Sequence, residues 1–276
     1  MKIKPEKKGT KYINSRVEEL RTTNINFVQQ KDNAIPKDLC EYFIKKINQY
    51  IKEGKTTRGY RITFDKEAKR SSIKNFDDEY KNCNDVYFVP QPSMQTKEDQ
   101  DFYKGFIDMN KDAELYSNIN KVFAIIFEIM HYYFLNVGYL GYEYIGATKR
   151  NIYEFISSPQ DFPTLEDIAV GSFTLRKYTH KEDGGYHIPH FDDLKFTTTP
   201  RVLSMIIYLN DIEFGGETEF PVINQMVRPK QGRVGMFPPY YTHTHFGRRA
   251  TEDKYVFTVH FIRARESNNK EKSKWK

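Results

Sequence analysis

Apolar and polar residues follow two different rhythms along this chain, and the rhythm changes near residue 165. In the first part, apolar positions recur every three to four residues, the spacing of a helix with one buried face. LCEYFIKKINQYIKEG, at 39–54, reads as such a helix, with Asp38 as its cap and Gly54 as its stop. A longer helix is predicted from about Ala113 to Val137. There Val122, Ile125, Ile126, Ile129, Tyr133 and Phe134 form one apolar stripe, the mark of a core face. Gly138 and Gly141 end that pattern. Residues 55–110 are polar, with a Pro-rich patch at Val89-Pro90-Gln91-Pro92. They read as a surface loop, with a lid over a site as the alternative.

From about Gly171 the period becomes two, the spacing of strands with one buried face. Strands are predicted at Ser172–Tyr178, His187–Asp192, Val202–Leu209, Glu217–Phe220, Gln225–Val227, Arg233–Phe237, Thr242–His245 and Lys254–Ile262. Turn signals separate them at Gly184-Gly185, Asn210-Asp211, Gly215-Gly216, Pro229–Gly232 and Gly247. Short strands with regular breaks suggest a sandwich or jelly roll. The expected fold class is therefore α+β: a jelly roll in the C-terminal half, supported by helices from the N-terminal half. The expected division is a helical part at 1–165, a barrel at 166–264 and a basic tail at 265–276.

Charge and composition change this picture little. Charged residues make up 29% and aromatics 15%, a composition that suits a packed core rather than disorder. The net charge of +6 is concentrated at the ends, as in MKIKPEKK and the stretch from Arg263 to Lys276. Such runs read as solvated tails, and the chain lacks the interleaved aromatic and basic residues that would favour nucleic acid. Cys40 and Cys83 make no disulfide framework. The most apolar stretch, Val122 to Leu135, is broken by Glu128 and His131 and is too short to span a bilayer. The N-terminus lacks the apolar core of a secretory signal. A soluble, cytoplasmic protein is expected, with no membrane partner.

The chemistry is concentrated in three side chains. In an extended strand His190 and Asp192 point to the same side and can converge on one ion. An isolated His-x-Asp pair is weak, because chance supplies such pairs. A further histidine, His245, lies 53 residues beyond Asp192 on another predicted strand. Two histidines and one carboxylate make the facial triad suited to Fe(II) oxygen chemistry, although zinc hydrolases use the same ligand types. Alternation cannot choose between His243 and His245. Lys254 begins a strand whose neighbours Tyr255, Val256, Phe257 and Val259 suggest partial burial. A buried cation there could hold an anionic cosubstrate. A solvated lysine is the alternative.

The stretch from Phe173 to Ile262 resembles the prolyl 4-hydroxylase-like family of Fe(II)- and 2-oxoglutarate-dependent dioxygenases. The matching runs are YHIPHFD at 186–192, RVLSMIIYLND at 201–211, GGETEFP at 215–221, RPKQGRV at 228–234, THTHFG from 242 and KYVFTVHFI to 262. Their order and spacing make the set specific, and it covers about a third of the chain. The resemblance implies a double-stranded β-helix and iron held by His190, Asp192 and His245. It favours His245 over His243 because Gly247 follows the ligand by two residues. It also implies Lys254 as partner of the distal carboxylate of 2-oxoglutarate, with Tyr178 nearby and Thr258 on the lysine's face. Oxygen is the co-oxidant and ascorbate a candidate reductant.

The chain departs from the family at two places. His187 stands where a tyrosine is usual, three residues before the first ligand, and His260 where a tryptophan is usual, six after the lysine. His260 either looks into the barrel or is a hydrogen-bonded core histidine. Peptidyl proline in a peptide or protein is the first expectation for the substrate. A free amino acid or other small molecule is the second, and a nucleic-acid base the third. A non-catalytic jelly-roll binding module is the rival of a different class. Arg201 and Arg233 are candidate anion-binding groups, expected instead to have surface or salt-bridge roles; Arg248 and Arg249 are rival cations for 2-oxoglutarate, less favoured than Lys254 because they follow His245 by only three and four residues in an expected loop.

Overall fold

The computed structural model describes residues 27–58, 60–65, 70–75, 82–88, 104–137, 168–180, 187–193 and 201–263. The Pro-rich patch, Gly138, Gly141, the Gly184-Gly185 turn and most of both basic ends lie outside the described residues. Among the described residues, two α-helices, α1 (Lys37–Lys52) and α2 (Ala113–Asn136), accompany thirteen strands. Their chain order begins β1 (Gln29–Lys31), α1, β2 (Thr57–Arg58), β3 (Tyr60–Asp65), β4 (Arg70–Asn75), β5 (Asn84–Tyr87) and α2. The barrel strands follow: β6 (Ile168–Tyr178), β7 (His187–His190), β8 (Arg201–Tyr208), β9 (Thr218–Phe220), β10 (Gln225–Val227), β11 (Val234–Phe237), β12 (His245–Gly247) and β13 (Lys254–Arg263).

The strands form a seven-stranded sheet, ordered β1-β11-β8-β13-β6-β5-β2, and a four-stranded sheet, ordered β10-β9-β12-β7. Every pairing in them is antiparallel. β3 and β4 make a separate hairpin. The two larger sheets face each other as a jelly roll, within an α+β fold as the sequence suggests. Tyr208 of the large sheet joins Thr218 of the small one by a 2.7 Å hydrogen bond between hydroxyls, and Phe220 packs edge-on against Phe237.

Strand alternation gives the large sheet two distinct faces. On β13, Phe257, Val259 and Phe261 are fully buried with helix residues Phe43, Ile47, Ile119 and Val122. Phe43 of α1 meets Phe257 edge-on, and Phe127 of α2 meets Phe261 likewise. The intervening residues Lys254, Val256, Thr258 and His260 therefore face the small sheet. Register places Tyr178 beside Lys254, Thr174 beside Thr258, and Ser172 beside His260. On the other flank, Tyr208 stands beside Val256 and Ser204 beside His260.

Several sequence expectations are corrected here. Asp38 lies in the first turn of α1 rather than capping it; Pro36 occupies the cap position and makes no side-chain capping bond. Pro36 has no N–H to satisfy and its fixed φ suits a helix start. Gly54 ends the helix as expected, at φ +67°. Residues 55–110 are not simply a loop. Strands β2 and β5 extend the large sheet beyond β6, and Asp85 and Val86 on β5 are fully buried. Their short polar sequences show no period of two because the pairing partner, not their own pattern, defines them. The expected strand at Thr242–His245 is instead a 3-10 turn, Tyr241–His243, followed by β12. The His243 N–H donates to the Tyr240 carbonyl at 2.9 Å and closes that turn.

Glycine is required at one tight approach. Gly232 has φ +75°, and a Cβ there would lie 2.4 Å from the Ile35 carbonyl oxygen. That carbonyl belongs to the segment leading into α1, so the clash cannot be relieved by a side-chain rotation. Gly232→Ala should lower stability by about 1–3 kcal/mol, measured as a lower urea midpoint. An unchanged midpoint would contradict this packing.

Candidate metal centre

The small sheet supplies two imidazoles side by side. His190 ends β7 and His245 begins β12, and the two are paired across the ladder. Their ring centroids are 4.4 Å apart. Each ring is fixed through Nδ1. His190 Nδ1 lies 2.8 Å from the Ile188 carbonyl, and His245 Nδ1 lies 3.0 Å from the His243 carbonyl. A carbonyl can only accept, so each Nδ1 carries a proton, and in the neutral imidazole each Nε2 then presents a lone pair. Phe220 and Phe237 pack against the His245 ring and limit its rotation.

Asp192 comes from just beyond β7, because that strand stops at His190. Its placement depends on a bend rather than on continued pleating. The backbone N–H groups of Asp192 and Asp193 both donate to the Pro239 carbonyl, at 2.9 and 2.8 Å. The Asp192 carbonyl accepts from Arg201 Nη1 at 2.7 Å, and its Oδ2 accepts from Ser204 Oγ at 2.7 Å. The result brings Oδ1 to 3.6 Å from His190 Nε2 and Oδ2 to 3.8 Å from His245 Nε2. All three groups offer ligand atoms within 4.8 Å of one another.

With both Nδ1 positions protonated, the two Nε2 atoms and the carboxylate are all acceptors. Three converging acceptors repel unless a cation lies between them, so the donor set fits a divalent metal. Imidazole and carboxylate suit Fe(II) and Zn(II) alike. Burial opposes ionisation of Asp192, yet the attraction of neighbouring imidazolium charge when the rings are protonated, that of His260 first, outweighs it and holds the carboxyl well below its usual range.

His243 does not join this group. Its ring contacts the Thr242 hydroxyl and stands edge-on to Phe27, while its backbone carbonyl anchors His245. Burial pushes its pKa down, with His245 adding to the effect. His243→Ala should therefore weaken metal binding by less than about 1 kcal/mol, because the carbonyl remains. His245→Ala should lose binding, and titration of the two variants with Co(II) compares them directly. Equal loss in both would show that the ring of His243 matters as well.

Beside this cluster, Lys254 is buried at 4% exposure. Its ammonium donates to the Gly216 carbonyl at 2.7 Å and lies over the rings of Tyr178 and Tyr208. Among the described residues no carboxylate comes within ion-pair distance of it. Burial, with Arg176 adding its like charge, pulls its pKa down to about 7. A buried ammonium without a counter-ion fits the carboxylate of a bound anion. On the same face, the Thr258 Oγ1 is buried without a hydrogen-bond partner, a second polar group that suits a ligand. Tyr178 accepts from Arg176 Nη1 at 3.3 Å, and burial raises its pKa.

Three of the four rival cations have other partners. Arg233 pairs with Asp32 at 2.6 Å, and Arg248 pairs with Glu219. Arg201 holds the Asp192 carbonyl. Arg176, which sequence reasoning missed, is buried against Asp85 with Nε 2.6 Å from Oδ1. An arginine two residues before Tyr178 in an apolar strand was a readable signal, but its acidic partner lies 91 residues away. Ser204 gave a similar signal as a hydroxyl within VLSMIIY.

The two departures flagged in the sequence both lie at the cluster. His187 stacks on the His190 ring with centroids 3.6 Å apart. His260 looks into the barrel: its Nε2 is 3.4 Å from Asp192 Oδ2 and its Nδ1 is 2.7 Å from Ser172 Oγ. Burial, reinforced by Arg201, pushes its pKa down to about 4, so it is neutral at pH 7. Among the described residues, no helix is long and apolar enough to cross a membrane.

Residues 173–262 match the family model of the 2OG-Fe(II) oxygenase superfamily. That segment contains all three clustered groups and Lys254. No curated protein matches the chain in sequence. Among solved structures, the fold is similar to a prolyl hydroxylase from Trichoplax adhaerens in complex with a hypoxia inducible factor peptide fragment. The identity there is 12%, the TM-score 0.52, and the match covers 95% of this chain and 96% of that one. A viral collagen prolyl hydroxylase from Paramecium Bursaria Chlorella virus-1 is 16% identical at TM-score 0.47, covering 86% of this chain and 97% of that one. A prolyl-4-hydroxylase from Pseudomonas putida is 14% identical at TM-score 0.47, covering 91% and 98%.

Proposed function

Taking residues 173–262 as a 2OG-Fe(II) oxygenase domain, with Fe(II), 2-oxoglutarate and oxygen as its cofactors, we propose that the chain hydroxylates a C–H bond of peptidyl proline. In this reading His190, Asp192 and His245 hold the iron and Lys254 holds the distal carboxylate of 2-oxoglutarate. Tyr178 and Thr258 line the cosubstrate's side of the barrel. The observation that carries the reading is the convergence of two imidazoles and a carboxylate, with a buried ammonium on the facing sheet that has no carboxylate partner among the described residues.

Iron held by His190, Asp192 and His245 would supply the chemistry that couples oxidative decarboxylation of 2-oxoglutarate to insertion of oxygen into a substrate C–H bond. The protein's own contribution is to position and to exclude water. The Ile188 and His243 carbonyls keep the two imidazoles in the ligating tautomer. Ser204 and the Pro239 carbonyl fix the Asp192 side chain and backbone. Lys254 supplies a charged hydrogen bond in a site shielded by Tyr178 and Tyr208, where such a bond is strong.

A peptide substrate agrees with the peptide complex of the Trichoplax adhaerens protein. A second reading, a free amino acid or other small molecule, is favoured by His187. Its imidazole stacks on His190 where prolyl hydroxylases resembled by this sequence carry a tyrosine. The test is anaerobic titration with Fe(II) and 2-oxoglutarate, followed by oxygen and a panel of proline-containing peptides and free amino acids. Succinate formation with a 16 Da gain on a proline peptide is the expected outcome. Oxidation of only free amino acids would favour the second reading, and 2-oxoglutarate-independent hydrolysis would replace both.

A further inference from the structure

The described residues offer one polar row of which the proposed mechanism uses only Ser204. Ser172 on β6, His260 on β13 and Ser204 on β8 stand opposite one another across three neighbouring strands. Strand β13 is central and largely apolar, and Ser204 is 1% exposed. Burying this row is costly unless each member finds a partner. The partners are each other and Asp192.

The hydrogen bonds define a direction. Ser172 Oγ lies 2.7 Å from His260 Nδ1, and Asp192 Oδ2 lies 3.4 Å from His260 Nε2. A proton on Nε2 faces the carboxylate and leaves Nδ1 to accept from the serine hydroxyl. The opposite tautomer would set a bare nitrogen against a carboxylate oxygen. Ser204 Oγ donates to the same Oδ2 at 2.7 Å. Among the described residues no hydrogen-bond donor is directed at Oδ1.

We propose that His260, oriented by Ser172 and acting with Ser204, is a positioning residue that holds Oδ2 of Asp192 and turns Oδ1 towards the metal. The proposal rests on the reading that His190, Asp192 and His245 form the metal site. Groups behind a ligand commonly alter metal affinity about 10- to 100-fold. The row therefore sets how tightly this chain keeps its metal, without touching the metal itself.

Co(II) titration of the metal-free full chain, followed by visible absorption, tests this without turnover. His260→Phe keeps a ring but removes the donor, and should weaken Co(II) binding about tenfold or more and shift its absorption bands. His260→Gln restores an N–H donor and should recover most of that loss. Ser204→Ala should weaken binding in the same sense. The double variant with His260→Phe should lose less than the product of the two, because both act on one oxygen. If His260→Phe does not fold, Ser204→Ala and His260→Gln carry the test. Wild-type affinity and spectrum in His260→Phe would overturn the proposal, as would equal losses in the Phe and Gln variants. An Asp192→Ala chain that binds Co(II) normally would overturn the ligand assignment itself, a result separable from failure of the positioning role.

Discussion

Replacing Asp192 with alanine should abolish turnover, leaving succinate no higher than in an enzyme-free control. The expected loss is at least about a thousandfold, or ~4 kcal/mol of transition-state stabilisation. Asp192 is the only carboxylate in the His190–Asp192–His245 group, and it is the group's only negative charge. Without it, two neutral imidazoles remain, which bind a divalent ion weakly under the same conditions. The apo fold should survive. Ser204 and His260 lose an acceptor, at a cost of about 1–3 kcal/mol for unpaired buried donors, but the desolvation cost of a largely buried carboxylate disappears with it. Circular dichroism and a urea midpoint would establish that the variant is folded. Asp192→Asn, which retains an acceptor for Ser204, separates loss of charge from loss of packing. Normal turnover by a folded Asp192→Ala protein would remove the basis for the metal assignment.

The same site shows what a single sequence can and cannot specify. The period of two between Gly171 and Ile262 made the barrel strands legible, because half-buried strands impose that period themselves. The pairing of His190 with Asp192 was legible for a related reason, but the mechanism differs from the one alternation implied. β7 ends at His190, and the Pro239 carbonyl, 47 residues beyond Asp192 in the chain, draws Asp192 back towards the cluster. Alternation also could not separate His243 from His245. The separation comes from the turn at Tyr241–His243, which directs one ring into the cluster and only the carbonyl of the other. Arg176 with Asp85, and Ser204 with Asp192, depended on long-range strand pairing. No local pattern encodes such partners. The resemblance in the sequence located Lys254, whereas its burial over Tyr178 and Tyr208 is visible only once the register of β13 with β6 and β8 is known.

Lys254→Ala should raise the concentration of 2-oxoglutarate needed for half-saturation by about 30-fold to a few thousand-fold, the 2–5 kcal/mol expected when one member of a buried charged pair is truncated. Metal binding measured without 2-oxoglutarate should change little, since Lys254 is outside the His190–Asp192–His245 group. The wild-type pH dependence provides an independent check. In the folded protein without cosubstrate, the Lys254 pKa lies at about 7, against an ordinary 10.5. Burial is the main cause, and among the described residues no carboxylate at ion-pair distance opposes it. Between these two values the unfolded chain holds a proton that the folded chain has released. The contribution of this residue to stability therefore rises with pH across that window. Affinity for a dicarboxylate runs the other way. Binding requires the ammonium, so above pH 7 the protein must take up a proton to bind, and the apparent Kd should climb by up to about tenfold per pH unit. Bound 2-oxoglutarate raises the lysine pKa in turn and protects the charged form in the complex. Lys254→Met should abolish this dependence while weakening binding at all pH values. Lys254→Arg retains a positive charge but presents a larger planar group to the space beside Gly216, so it should flatten the pH profile with a smaller loss of affinity. Isothermal titration of 2-oxoglutarate into the Mn(II)-loaded protein between pH 6 and 9 would measure both the affinity and the proton uptake. A flat wild-type profile, or wild-type affinity in Lys254→Met, would mean that the cosubstrate carboxylate is held by another group.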